Sequence, residues 1–126
     1  MTERKLEGRS AILTGGAKGI GVHYAHALAE AGAKVAILDI EDGQALAEQL
    51  CASQGREVAR AFQLDVSDED QVKATVGSVV SWAGDVDILV NNAAIFATLG
   101  DVKVTDIDVA LWDKVMAVNV RGPFLL

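Results

Sequence analysis

Four short apolar runs alternate with segments of helical period along this chain, and that rhythm leaves few folds open. The runs are Ala11-Ile12-Leu13, Val35-Ala36-Ile37-Leu38, Val58 to Leu64, and Val86 to Val90. The first, second and fourth are almost continuously apolar, as strands are when helices bury both of their faces. The third alternates more, which predicts a strand nearer a sheet edge. Between the runs the period becomes helical: Ile20, Tyr24 and Leu28 recur four apart, as do Leu46 and Leu50. Val72, Val76, Val79 and Val80 form a further stripe, and so do Leu111, Val115, Val118 and Gly122.

The punctuation agrees. Gly32, Gly55 and Gly84 stand where helices should end, since glycine tolerates the left-handed position after a helix. Ser67 with Asp70, and Thr105 with Asp108, resemble capping boxes with Asp in place of Glu. The predicted order is βαβαβαβ followed by a helix. That alternation implies an α/β fold with a parallel sheet and right-handed crossovers, of the Rossmann-type doubly wound kind. One domain spans residues 1–126, and no internal boundary is expected.

Composition narrows the function. The net charge of −7 disfavours nucleic-acid binding, which depends on Lys and Arg neutralising phosphates. The single cysteine, Cys51, cannot form an internal disulfide, and no Cys/His cluster suggests a metal site. Cys51 reads as a small buried side chain in a helix. The first residues show no secretory signal and no run reaches membrane-span length, so the cytoplasm is the expected location.

In a parallel α/β sheet the ligand lies beyond the C-terminal strand ends, so the residues after each strand carry the argument. After the first comes Thr14-Gly15-Gly16-Ala17-Lys18-Gly19-Ile20-Gly21. Such glycines let the backbone approach a pyrophosphate, and the helix that follows offers free N–H groups and its positive dipole end. A glycine-rich turn with no ligand is the alternative. The loop is not that of nucleotide triphosphatases, because Lys18 is followed by glycine.

After the second strand comes Asp39, 24 positions beyond Gly15. An acid at this distance can accept hydrogen bonds from the ribose hydroxyls of NAD. It would repel the extra phosphate of NADP by roughly 4 kcal/mol at about 4 Å and an effective dielectric of about 20. Lys18 pulls the other way, since a basic side chain in the loop could reach that phosphate. Asp65-Val66 follows the third strand and could contact adenine, although Asp65 could equally be a turn residue. Asn91-Asn92-Ala93-Ala94 follows the fourth. Its amides could satisfy irregular backbone or line a ligand, and a plain Asn turn is the alternative for Asn91.

Taken together these motifs resemble the short-chain dehydrogenase/reductase family over about residues 6–126. Residues 14–21 match its TGxxxGIG loop, Asp39 its NAD-selecting acid, and Asp65-Val66 its adenine contact. Residues 91–94 resemble its NNAG motif with Ala94 in place of Gly, and Asn119 matches its helix Asn. The resemblance implies that Gly15, Gly16, Ala17, Lys18, Gly19, Ile20 and Gly21 hold pyrophosphate and adenosine ribose. Asn92, Ala93 and Ala94 would line the nicotinamide side, and Asn91 would stabilise the sheet. Asn119 would hold a water in a proton relay.

The implied activity is reversible hydride transfer between a nicotinamide cofactor, NAD rather than NADP, and a secondary alcohol or ketone. A non-catalytic dinucleotide sensor and an NADP-dependent reductase are the alternatives. The family's Tyr-x-x-x-Lys is absent, and the one tyrosine, Tyr24, reads as helix packing. The expectation is therefore a sheet incomplete beyond the fourth strand and its helix, cut before the catalytic segment and inactive alone. The resemblance also implies that the whole protein is a homodimer or homotetramer, with the helix from about Asp106 at the subunit interface.

Overall fold

The computed structural model describes residues 3–96 and 98–126. Its strands are β1 (Ser10–Thr14), β2 (Lys34–Asp39), β3 (Ala59–Gln63) and β4 (Ile88–Val90). The helices are α1 (Ile20–Glu30), α2 (Gln44–Gln54), α3 (Glu69–Ala83), α4 (Val109–Met116) and α5 (Gly122–Leu125). A 3₁₀ turn at Val104–Asp106 precedes α4, and a π-helical stretch at Ala117–Arg121 joins α4 to α5.

The strands form one sheet in the order β3-β2-β1-β4, with all pairings parallel. The third run accordingly forms an edge strand, but the fourth, expected to be buried on both faces, is the other edge of the described sheet and is only half-buried, with Leu89 40% exposed. β1 and β2 are buried through nearly their whole length, which is why their sequences show no alternation. On one face Leu13, Val35 and Ile37 pack under Ala25 and Ala29 of α1 and Leu46 and Leu50 of α2. On the other, Ile12, Ala36 and Leu38 pack under Val72 and Val79 of α3, with Val118 and Leu125 at the margin. The sheet is thus wound on both sides, and chain order reverses between β1 and β4, the usual ligand crevice of such folds.

Several expectations are corrected. Of the stripe Ile20, Tyr24, Leu28, only Leu28 packs against the core, and it is partly buried. Ile20 is 58% and Tyr24 39% exposed, while Gly21, Ala25 and Ala29 are buried. A helix that starts at a tight glycine loop must lie close to the sheet, so the fully buried positions beneath it are small ones, with Val22 and Leu28 at the margin. Tyr24 is therefore a surface residue, not a packing one. Val80 of α3 is likewise turned outward at 44% exposure.

The capping boxes are also displaced. The N-cap of α3 is Asp68, whose carboxylate accepts from Gln71 N, and that of α4 is Asp108, which accepts from Leu111 N. Ser67 instead bonds Asp65. At the helix ends, Gly32, Gly55 and Gly84 do adopt positive φ. Cys51 is half-buried rather than buried, with its thiol donating to Ala59 O at 3.3 Å. No helix among the described residues is long and apolar enough to cross a membrane.

Candidate functional site

The loop after β1 closes tightly against the end of β4. Gly15 has φ +64°, and a Cβ there would stand 2.9 Å from Ala93 Cα. A Cβ on Gly21 would fall 2.0 Å from Gly15 O, so α1 can start here only without a side chain. Gly16 is closed off by Ile37 and Leu13. Gly19 differs: it has φ +60°, and a Cβ on it would meet nothing within 4 Å. As the N-cap of α1 it provides no side-chain acceptor; Val22 N–H bonds back to Gly19 O at 3.3 Å, while Gly19 N and Ile20 N have no hydrogen bond among the described residues. Ile20, at 58% exposure, borders the open space at Gly19.

Thr14 holds this arrangement together, a role that its sequence position did not announce. Its buried Oγ1 accepts the N–H groups of both Asn92 and Ala93 at 3.0 Å. Asn92 adds a bond from Nδ2 to Gly15 O at 3.0 Å. The ends of β1 and β4 are therefore fastened by side chain and backbone together. Ala94 needs no positive φ, since no described non-glycine residue has one. Its substitution for glycine is thus conformationally free. Asn91 is exposed, and none of the side-chain hydrogen bonds among the described residues involves it.

Asp39 ends β2 with only 6% of its surface exposed. One carboxylate oxygen accepts from Ala17 N at 3.0 Å and the other from Glu41 N at 3.0 Å. Each oxygen keeps a second lone pair for a ligand. Above this bridge Lys18 Nζ meets Glu41 Oε1 at 2.9 Å. The hydrogen bond and charge of Glu41 raise the Lys18 pKa, so the ammonium stays charged.

Asp65 sits in the turn after β3, and its Oδ1 accepts both the hydroxyl of Ser67 at 2.6 Å and its N–H at 2.9 Å. These two bonds hold its carboxyl below the usual range against an opposing effect of burial, with lesser help from the charges of Arg121 and Lys114. Val66 turns inward and lies against Gly122, where an added Cβ would come within 3.0 Å of it. The Val66 side chain is therefore core, and a ligand would meet its backbone.

Asn119 lies in the π-helical stretch. Its Oδ1 accepts from Ile95 N at 2.7 Å and its Nδ2 donates to Ile95 O at 3.1 Å. The side chain thus pins the loop after β4 from the opposite side. π-helical widenings recur at functional sites, where they re-aim a side chain within a helix. The structure gathers residues 14–21, Asp39 and residues 91–95 at the β1/β4 crevice, with Asp65 farther along the same sheet edge.

Comparison with known proteins agrees with this geometry. The family model for short chain dehydrogenase matches residues 9–126. Short-chain dehydrogenase reductase 5 of Arabidopsis thaliana is 36% identical over 122 residues, covering 97% of this chain and 46% of the relative. The 2-(S)-hydroxypropyl-CoM dehydrogenase 3 of Xanthobacter autotrophicus is 40% identical over 121 residues, covering 96% and 46%. Among solved structures, a 3-ketoacyl-(acyl-carrier-protein) reductase from Brucella melitensis complexed with NADH superposes with a TM-score of 0.82 at 38% identity, covering 95% of this chain and 47% of that one. The chain spans about half the length of the relatives it matches. On its family match, its sheet order and its sequence identity to these proteins, the chain belongs to the short chain dehydrogenase family.

Proposed function

We propose that this chain is the cofactor-binding part of an NAD-dependent oxidoreductase that interconverts a secondary alcohol and a ketone. The observation that carries the reading is the placement of buried Asp39 beside the uncapped start of α1. A dinucleotide fits there by chemistry. The free N–H groups at Gly19 and Ile20 suit its pyrophosphate, and the open space above Gly19 admits it. Asp39 retains lone pairs for the adenosine ribose hydroxyls. The loop cation, Lys18, is engaged by Glu41, which favours NAD over NADP. The structural relative from Brucella, a complex with NADH, supports a nicotinamide cofactor.

When bound, the nicotinamide supplies hydride acceptance and donation. The residues of this chain bind and orient. Gly15 and Gly21 permit the close turn, and Asn92, Ala93 and Ala94 form the wall on the β4 side. Asp65 would serve the adenine end through the backbone of Val66 and its own remaining oxygen. Asn119, with its amide occupied by Ile95, keeps one lone pair and one N–H for a water in a proton relay. The 126 residues contain no Tyr-x-x-x-Lys pair, so the group that moves the substrate proton is not among them.

In the whole protein, the exposed Val109, Trp112 and Met116 of α4 support a homodimeric or homotetrameric contact there. The test is an assay of the intact protein and of the 126-residue chain with NAD and a panel of secondary alcohols. Turnover by the intact protein alone is expected. Turnover by the short chain, or none by the intact protein, would contradict the reading.

A further inference from the structure

The glycine loop and the turn after β2 are joined twice, once through Asp39 and once through the side chains of Lys18 and Glu41. The first bridge is the carboxylate of Asp39 between Ala17 N and Glu41 N, at 3.0 Å each. The second is Lys18 Nζ to Glu41 Oε1 at 2.9 Å. The two turns also touch at Gly43, where an added Cβ would approach Ala17 Cβ at 3.6 Å. A lysine in this loop is the one feature of the site that argues for a phosphorylated ribose. Its ion pair answers that argument, because the ammonium already has a carboxylate partner.

We propose that Glu41 is a second cofactor-specificity residue, which neutralises Lys18 and thereby withholds it from the 2′-phosphate of NADP. The proposal rests on the reading of Asp39 as the acid beside the adenosine ribose. With Glu41 in place, Asp39, Glu41 and Lys18 sum to one negative charge around the ribose edge. Replacing Glu41 with glutamine leaves them neutral overall and sets the ammonium free. Both partners are well exposed, with side-chain exposures of 70% and 57%, so the pair itself is weak and Lys18 can turn to a phosphate once Glu41 is gone. Glutamine in place of Glu41 keeps the backbone N–H that Asp39 accepts, so the first bridge survives.

The experiment is a titration of the intact protein with NADH and NADPH, comparing wild type, Glu41→Gln, Lys18→Met and the double variant. Glu41→Gln is expected to raise NADPH affinity about threefold relative to NADH, and Lys18→Met in that background to erase the gain. At about 0.5 M salt, where the Debye length falls to about 4 Å, the gain should shrink. An unchanged NADH/NADPH ratio in Glu41→Gln, with NADH still bound, would overturn this proposal and leave the NAD reading standing. A gain that persists in the double variant would also overturn it, since Lys18 would then have no part. Failure of the wild type to bind NADH would overturn both.

Discussion

Asn119 and Ile95 are joined in both directions: the amide oxygen of Asn119 accepts the Ile95 N–H at 2.7 Å, and its amide nitrogen donates to the Ile95 carbonyl at 3.1 Å. A helix side chain thus fixes the backbone three residues beyond Asn92. Asn119→Ala should cost about 1–3 kcal/mol of stability by removing two half-buried hydrogen bonds. Asn119→Asp should cost at least as much as alanine, because it keeps the acceptor for Ile95 N but sets a carboxylate oxygen against the Ile95 carbonyl oxygen. Urea denaturation of the intact proteins checks this order. Equal stability of all three would mean that the clamp contributes nothing.

The glycines of the first loop separate into two kinds. Gly21→Ala places a methyl group 2.0 Å from Gly15 O, against backbone that cannot move without opening the turn. It should destabilise by more than the roughly 1–3 kcal/mol typical of overpacking, and abolish NADH binding. Gly19→Ala meets no atom, and its cost is conformational, about 1–3 kcal/mol for φ +60°. Its NADH affinity should fall, while the fold persists at 25 °C. Thermal melts with NADH titration distinguish the two substitutions.

Thr14→Val preserves shape and removes the acceptor shared by Asn92 N and Ala93 N. Leaving these N–H groups short of a partner should cost about 1–3 kcal/mol and weaken cofactor binding, whereas Thr14→Ser should retain most of both. If valine were as good as serine, the hydroxyl would not be what joins β1 to β4.

Much of this was legible in the sequence. The strands, their parallel pairing and the edge position of β3 follow from the runs, but β4 does not obey the same rule: it is continuously apolar and still lies half-buried at the other edge. The residues at the strand ends follow from where ligands sit in such sheets. The buried face of α1 was not legible, because close approach to the sheet selects Gly21, Ala25 and Ala29, which carry little apolar signal, over Ile20 and Tyr24. The caps slipped because Ser67 and Asp68 are both good capping residues, and Ser67 was drawn off by Asp65. Thr14 and Asn119 act through partners 78 and 24 positions away, and no local pattern encodes such pairings.

Asp65 provides a pH handle. Its folded pKa lies below the ordinary value, chiefly through the Ser67 hydroxyl and N–H. A depressed carboxyl pKa adds stability above the unfolded value, near pH 4, and loses it as pH falls through the lower folded value. Stability should therefore drop on acidification below about pH 4, and by less in Ser67→Ala. Denaturant midpoints measured from pH 6 to pH 3 test it, and a Ser67→Ala profile parallel to wild type would count against this role.

The most direct measurement is calorimetric titration of the intact protein with NADH and NADPH, repeated for Asp39→Ala. The account predicts one NADH per chain, weaker NADPH, and a variant in which NADH weakens and the preference for it narrows. No uptake of NADH, or a preference that Asp39→Ala leaves unchanged, would contradict it.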